Sequence, residues 1–262
     1  MANFTTHIGA GTVVSGALAT LTLAADVIAP ENLVAVTLAG VLGSVLPDID
    51  LKDSRPSRAM FAGLGIFFSF AVLFNAVMLK LSIAELWVMW LGTLVFVRYG
   101  LHYVFHKFSV HRGIWHSLLA GAFCSVTTAI VFYYLLRRPE GVAWLAAGFM
   151  MIGYLTHLIL DEIYSVDVMD VRIKSSFGTA VKLFDSRYPW ASLAMTAATA
   201  AAIMAAPPTK MFVDGISSRS MWSGLEHRLL PSETWFGVVA AHHSAAAPDP
   251  GMTTGSIIPA AK

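Results

Sequence analysis

Gly141–Leu160 reads GVAWLAAGFMMIGYLTHLIL, twenty residues without a charge, and Asp161-Glu162 follow at once. At ~1.5 Å per residue such a run makes a helix of about 30 Å, the thickness of a bilayer's hydrocarbon core. The same reading applies at roughly 8–29, 33–46, 59–79, 84–98, 117–136 and 189–206. Leu33–Leu46 reaches only about 21 Å, which fits a half-span or a helix buried by protein. The run 189–206 is rich in Ala and Thr and only moderately apolar. The fold expected is therefore all-α: a polytopic transmembrane bundle of about six or seven helices.

Composition agrees. The 262 residues are 56% hydrophobic and 13% charged, with mean hydropathy +0.68, whereas soluble domains carry about 25% charged residues. One membrane-embedded domain over 1–206 and a tail over 207–262 account for the length. The tail, rich in Ala, Ser, Gly and Pro, is expected to be partly disordered, with a short amphipathic segment near Met221–Leu230. His242 and His243 read as solvated tail residues. Net charge +1 gives no reason to expect a nucleic-acid partner. A lone cysteine, Cys124, excludes a disulfide framework and a thiolate-rich zinc site. Residues 1–6 carry no Lys or Arg, so a secretory signal peptide is not expected.

Loop charge gives sidedness. If every run crosses, the loops 47–58, 99–116 and 161–188 share the side of the N-terminus. With Arg98 at the membrane edge that side holds ten cations, against three (Lys80, Arg137, Arg138) opposite. It should be the cytoplasmic side. His7, Asp48, Asp50, His111, His116, His157 and Asp161 all fall at helix ends on that face. Seven independently placed residues would scatter over both faces, so their convergence points to one composite site.

Each motif also has a plainer reading. His157 and Asp161 stand four apart, on one helix face. They can grip one ion, the Asp can orient the His, or the pair can cap the helix where it meets water. Asp48 and Asp50 follow Pro47 as turn residues do. Two carboxylates at a helix C-terminus nevertheless oppose the dipole and call for a cation, which an ion or Lys52 can supply. His111 and His116 lie about 140° apart on an ideal helix. They reach one centre only if Gly113 bends the chain, with His111 in the loop and His116 near the start of the next span. Arg112 is placed either to meet a phosphate or carboxylate or to anchor the cytoplasmic loop. Ser117 reads as a helix cap. His102 and His106, four apart beside aromatics, read as interface or supporting residues. Asp26, Asn75 and Glu85 look peripheral. Asp161–Asp167 continues the acidic edge, and Lys174–Ala180 is a basic, hydroxyl-rich loop.

The combination of His7, Leu46-Pro47-Asp48-Ile49-Asp50, His111-Arg112-Gly113-Ile114-Trp115-His116-Ser117 and His157-x-x-x-Asp161 resembles the inner-membrane metal-dependent hydrolases of the LexA-regulated, YdjM-like group. The likeness covers about residues 5–185 and leaves the tail out. Trp115 stands where that pattern has a small polar residue such as Thr. The resemblance implies a distant similarity to zinc-dependent phospholipases C and related nucleases, which are all-helical and bind clustered zinc through His and Asp. It implies a phosphoester hydrolase.

The expectation is a membrane-bound hydrolase using a metal-activated water at a His/Asp site on the cytoplasmic face of the inner membrane. The ligands expected are His7, Asp48, Asp50, His111, His116, His157 and Asp161. That is more than one tetrahedral ion takes, so two or more divalent ions are expected, zinc first and manganese or iron next. Asp48, Asp50 or Asp161 would bridge or act as base, and Arg112 would stabilise developing charge. A site at headgroup depth suggests a lipid or lipid-linked substrate. The competing readings are a transporter or metal-ion carrier, which puts polar residues in mid-span, and a scaffold closed by a structural metal.

Overall fold

A computed structural model describes residues 3–51, 54–76, 79, 81–108, 113–167, 172–173 and 182–229. Among these, ten α-helices follow one another: α1 (Phe4–Ala24), α2 (Pro30–Gly43), α3 (Arg55–Ala76), α4 (Ile83–Val95), α5 (His102–Phe108), α6 (Leu118–Ile130), α7 (Glu140–Ile163), α8 (Pro189–Met204), α9 (Lys210–Ile216) and α10 (Arg219–Leu229). A 3-10 turn, Leu46–Asp50, follows α2. A π-wound stretch, Phe96–Leu101, fuses α4 to α5, and another, Val131–Leu135, extends α6. The described strands are two-residue pieces, Val166–Asp167 paired antiparallel with Arg172–Ile173. The chain is all-α.

Among the described residues five helices are long and apolar enough to cross a membrane: Phe4–Ala24, Ser57–Ala76, Ile83–Lys107, Leu118–Leu135 and Glu140–Ile163. The runs at 33–46 and 189–206 give shorter helices of 14 and 16 residues. The run 84–98 continues as helix to Lys107, so His102 and His106 belong to a rod rather than a loop. In the tail, α9 and α10 fold back on the bundle. Trp144 Nε1 on α7 donates to Pro208 O at 2.8 Å, and Met211 N donates to Glu140 Oε1 at 2.7 Å. Met221 packs on Val27. Residues 230–262 lie outside the described residues.

Helix α7, built on the uncharged run, is the centre of the bundle and packs on α2, α6 and α1. Lipid chains are as apolar as leucine, so helices in a membrane associate by close packing of small residues rather than by escape from water. Helix α1 buries His7, Gly11, Ser15 and Ala19, one residue per turn along one stripe. Gly40 of α2 meets Gly153 of α7 so closely that a methyl group on Gly153 would overlap the Gly40 carbonyl oxygen, and one on Gly43 would overlap the Met150 carbonyl oxygen. A methyl on Gly11 would overlap the Ser44 hydroxyl. Three helices therefore converge on Ser44, and that convergence positions the site.

Candidate metal centre

Four segments bring the site residues to one end of the bundle. Asn3 caps α1 by accepting from Thr6 N at 2.8 Å, which starts the helix in time to place His7 on its buried stripe. Pro47 lacks the amide hydrogen that α2 would need to continue, and the chain tightens into the 3-10 turn carrying Asp48 and Asp50. Ser117 accepts from Ala120 N at 3.2 Å and caps α6, with His116 just before it. The last two turns of α7 carry His157 and Asp161.

His157 is the hub. Its Nδ1 donates to Ser44 O at 2.8 Å, which leaves the Nε2 lone pair facing the carboxylates. Asp48 Oδ1 lies 3.7 Å and Asp161 Oδ2 3.8 Å from that nitrogen. The His7 ring stacks on His157 at 3.7 Å between centroids, 15° from parallel, and His7 Nε2 is 3.4 Å from Asp161 Oδ1. His116 meets the His157 ring edge-on at 5.6 Å. Both nitrogens of His7 and Nε2 of His157 are buried without a hydrogen-bond partner. Buried polar groups are normally satisfied, so these nitrogens fit an arrangement built for a cation. Among the described residues two groups can hold an ion, His7 with His157 and Asp161, and Asp48 with His116 and His157. The side chains of His7, His157 and Asp161 are 0% exposed while Asp48 is 21% exposed, so the centre opens at Asp48. Burial raises the Asp48 carboxyl above its usual range, partly offset by His7 and His116, with Asp161 and Asp50 pushing it further up. A bound cation would reverse that cost.

Asp50, expected as a ligand, belongs to neither group. It is buried behind His116, with Oδ2 accepting from Nδ1 at 3.0 Å. That bond fixes the tautomer and turns Nε2 of His116 toward the centre. Asp50→Asn should lower metal affinity by ~10–100-fold, the usual effect of losing a carboxylate behind a ligating histidine, while leaving the fold intact. Competition against a chelating dye checks this; unchanged affinity would make the contact merely structural.

His111, Arg112, Lys52 and the Lys174–Ala180 loop lie outside the described residues. Several supporting contacts had no sequence signal. The Ser44 carbonyl acts through backbone and is invisible to a motif. Ser57 Oγ donates to Ile49 O at 3.0 Å, so it accepts from Nε2 of His106, also at 3.0 Å. The rod α4–α5 thereby braces the aspartate turn, which gives His106 the supporting place its sequence context suggested. Trp115 donates from Nε1 to Leu46 O at 2.8 Å, and its carbonyl accepts the Tyr154 hydroxyl. The indole thus ties the aspartate turn to the segment that leads into α6, a reach no small side chain has, while the link to α7 is made by the Trp115 backbone.

The chain belongs to the YdjM inner membrane protein family, whose family model matches residues 1–173. No curated protein and no solved structure matches it.

Proposed function

We propose that this inner membrane protein hydrolyses a phosphoester in a lipid or lipid-linked substrate, at a His/Asp metal centre facing the cytoplasm. The observation that carries the reading is the set of buried ring nitrogens without a hydrogen-bond partner, both of His7 and Nε2 of His157, enclosed by the carboxylates of Asp48 and Asp161. Loop charge supports the cytoplasmic sidedness. Clustering at one end of the bundle favours a surface hydrolase over a carrier, whose ligands belong in mid-span.

His7, His157, Asp161, Asp48 and His116 would hold the ions, zinc first, with manganese or iron as the alternatives. When bound, divalent ions supply an acidified water and a polarised phosphoryl oxygen. The chain's own residues do the rest. The Ser44 carbonyl keeps His157 in one tautomer, and Asp50 does the same for His116. The single Nε2 lone pair of His157 would serve one ion, so a second would be held by the remaining residues, His7 or His116 with a carboxylate. Asp48, at the open side of the centre, is suited to take the proton from the attacking water. Arg112 is assigned to the phosphoryl oxygen, where a guanidinium binds in a bidentate way.

Elemental analysis of detergent-purified protein across a pH series tests the centre. Histidine ligands bind only when neutral, so metal should be retained at neutral pH and lost on acidification. Protein devoid of transition metal after reconstitution would refute the metal reading. Fully loaded protein that turns over nothing in a broad phosphoester panel would refute the hydrolase reading alone.

A further inference from the structure

An apolar groove of about 620 Å³ runs beside the metal centre, within the ~300–1,000 Å³ of ordinary ligand sites. One wall is Leu101, Val104 and Phe105 of the α4–α5 rod; the other is α8, through Trp190, Ala194 and Ala198. Its inner end is Trp115, whose ring meets Phe105 edge-on at 4.9 Å. Trp115 is also the residue before His116 and the donor to Leu46 O in the aspartate turn. The indole is therefore a partition with the groove on one side and the centre on the other.

We propose that this groove seats the hydrocarbon chain of the substrate, with Trp115 setting the distance from chain to phosphoester; the inference rests on the hydrolase reading above. Three observations select a lipid chain as the occupant. The lining is almost wholly apolar, and the α4–α5 rod that forms one wall is itself long and apolar enough to cross a membrane. Tyr188 and the 81% exposed Trp190 stand at the start of α8, as aromatic residues do at a membrane interface. The groove adjoins the centre directly through Trp115. Helix α8 lies beyond the residues matched by the family model, so this wall, and the chain length it admits, belongs to the C-terminal part of this chain.

The test uses ethyl- to octylphosphonate, which carry a phosphoryl headgroup and a C–P bond that is not hydrolysed, so binding is read without turnover. Wild-type protein should bind each longer homologue about fourfold more tightly per added methylene, the ~0.8 kcal/mol of a buried CH₂. Ala194→Trp fills the groove from α8 and should flatten that dependence in the same detergent, with melting temperature and elution profile unchanged. Ala198→Leu serves the same purpose if the larger residue disturbs folding. Equal slopes in wild type and variants would mean micelle partitioning only. A flat wild-type profile would mean that bulk lipid fills the groove. Either result, or no binding at any length, overturns the proposal. Phosphodiester turnover, measured separately, decides the hydrolase reading.

Discussion

His157→Ala should strip the protein of its metal and of any hydrolysis, with a loss of affinity well beyond the ~10–100-fold expected when only an outer partner is removed. The reason is geometric. His157 is the residue that both candidate ion-holding groups share, and carboxylates from two different segments approach its Nε2 at 3.7 and 3.8 Å. Alanine also leaves the Ser44 carbonyl buried without its donor, which costs about 1–3 kcal/mol by itself. A loss of metal could then be blamed on misfolding. His157→Asn separates the two effects, because its amide nitrogen occupies the place of Nδ1 and can still donate to Ser44 O. The asparagine variant should melt close to apo wild type yet bind no metal. Wild-type metal content in either variant would show that the centre is elsewhere.

The all-α bundle of apolar helices was legible in the sequence, and so was the meeting of several polar residues at one end of it. Convergence of His7, the aspartate turn, His116 and the His157/Asp161 pair followed from counting spans and noting which helix end each residue occupied, and those residues do meet. Chemistry-bearing residues are rare in a chain this apolar, so each is conspicuous. Their division of labour was not legible. Asp48 and Asp50 look equivalent two residues apart, yet a 3-10 turn sends one toward His157 and the other behind His116. Only the turn's handedness and tightness decide that.

Helix lengths were partly legible. The 14-residue α2 is short, as its run implied. The π-wound Phe96–Leu101 was not foreseen, because nothing in a hydropathy pattern distinguishes π winding from α winding, and it carried the helix through to Lys107. The groove was hidden for a different reason. Its walls come from residues 101–105, 113–115 and 188–198, and no local pattern states that such distant segments will face each other.

Gly153→Ala should be the most damaging methyl group among the described glycines, although it touches no ligand. An added Cβ would overlap the Gly40 carbonyl oxygen and also press on the Ser44 amide nitrogen at 3.0 Å. Both are backbone atoms, which cannot swing aside as a side chain can, so α2 must move off α7. Overpacking of this kind costs ~1–3 kcal/mol. The displacement acts on Ser44, whose carbonyl holds Nδ1 of His157, so metal affinity should fall together with the melting temperature. Gly148 lies on the same helix with nothing within 4 Å of its Cβ position. There the same substitution adds only helix propensity and should be neutral or stabilising, by up to ~1 kcal/mol. The contrast between two glycines five residues apart on α7 isolates close helix approach from any general intolerance of substitution. If Gly153→Ala melts like wild type and keeps its metal, the contact between α2 and α7 is not what orients His157, and the Ser44 bond must be held by the 3-10 turn and Trp115 alone.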